Sequence, residues 1–527
     1  MSSSDRQVTL RPDGTFLLTS ACDIHQFFFW KIEQGLPCIT ISSLPDELLI
    51  EIFDWSRLVD GYDWIYRRRW YKLQQICRRW RYVMLEWPSR LKLCFLCNKT
   101  SPITTMPSHL TAIPLAINYK IEPNWPLPYV PKLPKKELLL ALQHCNRLYS
   151  IFIGRCTSEG SGLLKALDNP FPILEALSLF YDDGIQVLPN NFVAPRLRAL
   201  HLVNVIIPMG HLSLTNAANL LSLHLERIPA SGYSPPEYLV ECIASMPHLE
   251  NISFGFKEGT YYPDMVMELP RTEITRMVLP KLSRLKYTGM IIYLDNLLAR
   301  ISTPVLQDLR FSVFLNEIST LTVLPLSAFL GTIQNLDFRT AVVSFDQLSF
   351  KFTNTYHPEQ PSVVSPYFSF NIHDDVQVRA VASMTQILCS ACAPALPVVE
   401  YLDLEAYWYS PEFMTHHQLW YTLLRSFRGV KTLALRTDNV LATVLSDVLD
   451  PHNEAATNEL LPVLSELVVV SQEDLLQQPF SSFIHARRLA GHSVDLRVIQ
   501  RRPSRFRPPP ISGSFDTFVE AFVEAFA

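Results

Sequence analysis

From residue 44 the chain reads LPDELLIEIF, a proline and two acids followed by an almost unbroken apolar run. Pro45 suits a first helical position, and Asp46 and Glu47 complement the positive end of a helix dipole. Leu48, Leu49, Ile52 and Phe53 then form a wide apolar face, while Leu44 stands just before it. After a basic, aromatic connector, Leu73, Ile76, Cys77, Trp80, Val83, Met84 and Trp87 recur at nearly ideal helical spacing until Pro88 ends the run. Two or three helices of this length cannot enclose so many large apolar groups alone, because domains below about 40–60 residues are marginal. Either the following domain or a partner covers them.

Beyond residue 147 the pattern changes to an apolar residue followed at +3 and +5 by two more. Matches start at Leu148, Leu174, Leu197, Leu220, Leu249, Leu282, Leu306, Ile333, Val399, Val430 and Leu464. Their spacing is 23 to 34 residues apart from one interval of 66, which hides at least one further unit. Residues at +3 and +5 lie on one face of a strand, and stacking such strands buries a continuous apolar spine. Helical patterns such as KKELLLALQHC, PPEYLVECIASM and DVQVRAVASMTQILCSACA lie between the matches. The fold class is therefore α/β, as a repeat solenoid rather than an ordinary sheet of alternating strands and helices. The Asn expected at +8 of a regular repeat is replaced by Asp182, Val205, Ile228 and Lys257, so irregular coils are expected. The segment at about 345–372 interrupts the period and reads as two strands with a proline-containing loop, an insertion projecting from the stack.

In order and spacing, LPDELLIEIF, LQQICRRWRYVM and WPSRL resemble the F-box, the helical motif that docks substrate receptors onto the Skp adaptor of cullin-RING ubiquitin ligases. The connector between Phe53 and Cys77 is several residues longer than the motif usually carries. That insertion, with the phrases SRLKLCFLC, FPILEALSLF and APRLRALHL, resembles the large fungal F-box proteins with degenerate leucine-rich repeats. The resemblance implies an N-terminal extension at 1–40, an F-box at 41–90 and an irregular leucine-rich-repeat solenoid at 91–510, with parallel strands on its concave face and helices outside. It further implies a non-enzymatic receptor that binds the adaptor, and through it cullin and RING subunits, and that selects a target protein. The adaptor would meet Leu44, Pro45, Leu48, Leu49, Ile52, Phe53, Ile76, Cys77 and Trp80. The alternative is a non-catalytic interaction scaffold unconnected with ubiquitination.

The alternation that builds the spine also nominates a target-binding face. Residues at +4 and +6 point away from the core, which places His201, His224, Lys286, Arg310, Arg339, Asp403, Glu405 and Arg436 there. Lys286, Arg310 and Arg339 would stand on three consecutive strands about 5 Å apart, close enough to converge on a carboxylate cluster or phosphate. Mixed charge that merely keeps the face soluble is the plainer alternative.

Composition narrows the classes without naming a chemistry. The chain has 527 residues, 48% of them hydrophobic, and 46 basic against 50 acidic side chains. No overall basic excess favours nucleic acid or an anionic membrane. Ile318–Leu336 and Ala380–Val399 are long and uncharged, but both contain proline and several polar residues, unlike a span of about 20 predominantly apolar residues. The N-terminus lacks the pattern of a secretory signal, so a cytoplasmic or nuclear place with reduced cysteines is expected. The pairs Cys94/Cys97 and Cys389/Cys392 lie too far apart for a zinc knuckle, and His416-His417 reads as a solvated pair; no metal site and no cofactor are expected. There is no nucleophile elbow, P-loop or H-E-x-x-H motif. Arg487, Arg488, Arg497, Arg501, Arg502, Arg505 and Arg507 make a basic, solvated end. Beyond it, Phe515, Phe518, Val519, Phe522, Val523 and Phe526 mark an amphipathic helix within 511–527.

Overall fold

The structure is a computed structural model that describes residues 44–60, 69–88, 90–91, 93–98, 101–119, 134–156, 161–182, 184–208, 218–258, 276–314, 324–333, 338–345, 348–354, 367–373, 377–406, 417–437, 439–449, 460–471 and 480–500. The expected N-terminal extension, the C-terminal helix, His416 and Arg501 to Arg507 lie outside the described residues.

The first helix, α1, spans Asp46–Asp60 with Asp46 and Glu47 in its first turn, as the dipole argument requires. The periodic run from Leu73 to Trp87 does not make one helix. It breaks into α2 (Arg69–Gln74) and α3 (Arg78–Glu86). Cys77 takes an extended conformation at the break, and its Sγ accepts a bond from the Trp80 amide at 3.4 Å, capping α3. Spacing alone cannot see this, because an N-cap residue can sit in phase with the helix it starts.

The strands follow in chain order: β1 (Phe95–Cys97), β2 (Leu115–Tyr119), β3 (Leu148–Cys156), β4 (Ala176–Tyr181), β5 (Gln186–Val187), β6 (Ala199–Val203), β7 (Val205–Ile206), β8 (Ser222–Ile228), β9 (Asn251–Phe256) and β10 (Met277–Val278). The second half carries β11 (Arg284–Met290), β12 (Ile301–Ser302), β13 (Asp308–Phe314), β14 (Thr340–Ser344), β15 (Ser349–Thr353), β16 (Tyr367–His373), β17 (Tyr401–Ala406), β18 (Thr432–Thr437), β19 (Glu466–Ser471) and β20 (Asp495–Gln500). Sixteen of them form one sheet, in the order β1-β2-β3-β4-β6-β8-β9-β11-β13-β16-β15-β14-β17-β18-β19-β20, while β5 with β7 and β10 with β12 make two small parallel pairs. In the main sheet every pairing is parallel except the two that β15 makes.

Two devices hold the stack in register. The +3 and +5 side chains, such as Leu223 and Leu225 or Leu402 and Leu404, are buried beneath the sheet in one cluster that runs from Leu49 to Val494. Each such side chain contributes about 2 kcal/mol on removal from water. A ladder of backbone bonds precedes the strands. The amides of Arg198, Leu221, Glu250, Ser283 and Gln307 donate in turn to the carbonyls of Glu175, Arg198, Leu221, Glu250 and Ser283, each at 2.8 Å. Helices cover the spine, and neighbours pack side by side from α6 (Pro236–Ala244) through α7 (Ile291–Arg300), α8 (Leu324–Leu330), α9 (Gln377–Ala391) and α10 (His417–Ser426) to α11 (Asn439–Val448), with α4 (Lys135–Leu142) and α5 (Ser161–Ala166) before them and α12 (Ser481–Leu489) after. The chain is thus mixed α/β with one long, mostly parallel, solenoid-like sheet. No described helix is long and apolar enough to cross a membrane.

Of the segment at about 345–372, read from the sequence as two strands and a proline-containing loop, the loop residues 355–366 lie outside the described residues. The strands of the segment enter the sheet: β16 pairs parallel to β13 and takes the place of the next repeat, and β15 bridges antiparallel between β16 and β14. The backbone ladder follows the same route, the Tyr367 amide donating to the Gln307 carbonyl at 2.7 Å. Among the described residues, three strands therefore occupy the interval of 66. The Ile333 match also misplaces its strand, since β14 begins at Thr340 and buries Ala341 and Val343. Arg339, expected on the strand, stands before it.

Candidate functional site

Of the nine residues expected to meet an adaptor, the fold divides the set. Leu49 and Phe53 are fully buried, and Trp80 is 9% exposed. Phe53 and Trp80 pack ring against ring, and all three belong to the continuous core rather than to an outer face. Pro45 and Cys77 are exposed, Leu48 and Ile76 stand 49% and 59% exposed, and Leu44 and Ile52 are half-buried. The exposed apolar side chains Tyr82 and Trp87 belong to the same helical segment. An amphipathic pattern marks apolar residues but not which tertiary neighbour claims each, so the inward set could not be separated from the outward one. The basic residue of the motif is also structural: Arg79 bonds the Asp46 carboxylate at 2.6 Å and the Leu44 carbonyl, fixing α3 against the start of α1.

The second surface is the sheet face opposite the helices. On β3, β4 and β6 Phe152, Phe180 and Val203 cluster. From there a row of rings crosses adjacent strands: Phe152 to Phe180 at 5.5 Å between centroids, Phe180 to His201 at 4.5 Å and His201 to His224 at 5.0 Å. Burial lowers His224 to about 4 and holds His201 well below the ordinary histidine value, so both rings are neutral near pH 7. Glu226 lies two residues beyond His224. Burial alone would raise its carboxyl, but the Lys286 ammonium at 3.1 Å and the Ser253 hydroxyl at 2.8 Å help hold it down to about 2.

The three cations expected to converge do not. Arg310 lies on β13, but Arg339 precedes β14, which β16 and β15 separate from β13. Each cation also has a carboxylate partner within the fold: Lys286 has Glu226, Arg310 has Asp308 through two bonds of 2.8 Å, and Arg339 has Glu400 at 3.9 Å. Farther along, Arg436 of β18 lies 2.9 Å from Asp403 and 3.7 Å from Glu405 of β17, so these three come together but answer one another's charge. Arg436 meets its acids on the neighbouring strand and Lys286 reaches Glu226 past β9, a register that is not legible before the stack is known.

The cysteine pairs behave as core residues. Cys94 and Cys97 are an odd number apart on an extended chain and enter different clusters on opposite faces, so they cannot share a metal ion. Burial pushes the Cys94 thiol up to about 12. Arg487, expected in a solvated basic end, is instead buried and donates to the carbonyls of Leu461 and Pro462 at 2.6 and 3.2 Å.

The grouping of His201, His224 and Glu226 as three donors within reach of one another was not expected from the sequence. Its signal was present: histidine at +4 of two successive repeats, with an acid at +6 of the second.

No protein-family model and no curated protein matches the chain. Among solved structures it is similar to one titled "Crystal structure of TLR13-ssRNA13 complex", at 14% identity and a TM-score of 0.28 over 77% of this chain and 49% of that one. The chain therefore spans about half the length of that structure's chain.

Proposed function

We propose that the chain is the substrate-recognition subunit of a Skp-cullin-F-box ubiquitin ligase. Its helical end would dock the adaptor, its sheet face would hold a target protein, and ubiquitin transfer would belong to other subunits in the cytoplasm or nucleus. The observation that carries this reading is the division of the F-box-like sequence on folding. Leu49, Phe53 and Trp80 brace the helices onto the solenoid core, while Pro45, Leu48, Ile76 and Cys77 remain outside. Exposed large apolar groups on a short helical segment mark an interaction surface, and burying a few such anchors supplies most of the energy of an interface.

The test is capture of the Skp adaptor and cullin by the full chain, compared with a Leu48→Asp/Ile76→Asp variant whose melting temperature matches. Loss of both partners in the variant supports the reading. Equal capture by the two chains sinks it, and capture of the adaptor without cullin favours the interaction scaffold.

A further inference from the structure

The histidine pair on the open sheet face is arranged by the fold. β6 and β8 pair in parallel register with His201 directly opposite His224, and Glu226 follows two residues later on the same face. Strand spacing near 4.8 Å and side-chain alternation make this arrangement automatic once the register is set. One donor atom from each of the three residues lies within 4.8 Å of the other two. His201 is only 2% exposed, held between Phe180 and His224.

We propose that His201, His224 and Glu226 form a binding site for a divalent transition-metal ion of the zinc class. Two imidazoles and one carboxylate suit zinc, copper(II), nickel or iron(II), and not calcium or magnesium, which take oxygen donors. Metal–donor distances near 2.1 Å place tetrahedral donors about 3.4 Å apart, so the three donors would draw closer together around a bound ion. His224 Nε2 lies 2.8 Å from the Ser222 hydroxyl, an outer contact that orients the ring and leaves Nδ1 to the ion. Ser253 and Lys286 both bond Oε1 of Glu226, so Oε2 is the oxygen offered. Three protein donors leave at least one coordination position for water or for a donor atom from a bound partner.

Lys286 makes the site distinctive. Its ammonium stands where it neutralises Glu226, so an incoming dication competes with it for the carboxylate. The Lys286→Met chain is therefore expected to bind metal more tightly than the natural one, the reverse of its effect on an ordinary ion pair.

The experiment uses the full chain, stripped of metal by chelation and titrated with Co2+, whose visible ligand-field bands report coordination, with Zn2+ as competitor. One equivalent of Co2+ should bind, and Zn2+ should displace it. Outer-shell partners alone are worth about 10–100-fold in metal affinity, so His224→Gln and Glu226→Gln should each weaken binding by at least that much. Both lie at partly exposed positions, and their melting temperatures are checked so that unfolding is not read as loss of a ligand. Lys286→Met should tighten binding severalfold. No saturable binding by the natural chain overturns the proposal, as does unchanged affinity in His224→Gln and Glu226→Gln. A Lys286→Met chain that binds no more tightly removes Glu226 from the ligand set and overturns the three-donor site.

Discussion

Phe53 and Trp80 meet as a T-shaped pair, with centroids 5.0 Å apart and ring planes at 69°, although the sequence places both among outward-facing residues. The pair joins α1 to α3, so truncating either ring empties core volume. Phe53→Ala or Trp80→Ala should cost about 3–5 kcal/mol. Leu48→Ala and Ile76→Ala, on the exposed side, should each cost less than about 0.5 kcal/mol while weakening adaptor capture. Thermal unfolding beside a pull-down separates the two classes. Comparable destabilisation by all four changes would refute the division of the motif.

Cys77 supplies a sulfur where helices usually prefer oxygen. Serine places a better acceptor at the same N-cap, so Cys77→Ser should hold or raise stability, whereas Cys77→Ala should cost about 1 kcal/mol. Urea unfolding of the two variants is the check, and equal midpoints would mean that the contact with the Trp80 amide contributes nothing.

Asp403 is 1% exposed, and burial raises its carboxyl to about 6 despite the opposing pull of Arg436. Its folded value lies above the unfolded 3.8, so the native state binds the extra proton between the two. Its contribution is fully present below about 4 and lost as pH rises through about 6, a change of about 3 kcal/mol. Removing Arg436 should therefore matter most when Asp403 is charged. Arg436→Met should cost about 3–5 kcal/mol at pH 7.5, where a buried charge loses its partner, and much less at pH 5. Denaturant unfolding at both pH values measures it; an equal loss at each would exclude the Asp403 charge as the cause.

Gly429 stands in the turn before β18, where a Cβ would lie 2.1 Å from the Pro397 carbonyl oxygen and 3.1 Å from that of Val399. Both obstacles are backbone of the preceding unit, so no rotamer change relieves them. Gly429→Ala should force the turns apart and cost at least about 2–3 kcal/mol, seen as a lower melting temperature. Gly162, with open space around its Cβ position, is the control: alanine there should be neutral or stabilising.

The repeat was legible wherever its spine was regular. Matches at Leu174, Leu197, Leu220, Leu282, Leu306, Val399 and Val430 each precede a strand whose +3 and +5 residues are buried. It failed at Ile333 because the apolar spacing there belongs to the approach to β14, and an antiparallel strand carries the same two-residue alternation as a parallel one. β2 escaped because Pro102, Pro107 and Pro114 break up its surroundings. β20 escaped because Val498 and Ile499, 42% and 50% exposed, do not follow the buried alternation of the inner strands. For the candidate site, apolar spacing marked the helical stretches from Asp46 and up to Glu86 but not the break at Cys77 or which residues face inward. Strand alternation put His201 and His224 on the right face. The pairing of Lys286 with Glu226 past β9, and of Arg436 with Asp403 on β17, follows from the stacking order, which from β13 to β14 runs against the chain as β13-β16-β15-β14.

That inverted order bears on how the protein is made. A solenoid can assemble as its nascent chain leaves the ribosome, each repeat docking on the one before it. Here β13 must wait, because its neighbour β16 is synthesised only after β14 and β15. At 5–20 residues per second, the roughly fifty residues between β13 and β16 take roughly 3 to 10 s. During that time β13 is an open edge able to pair with another chain, so translation speed and chaperones bear on yield at this junction.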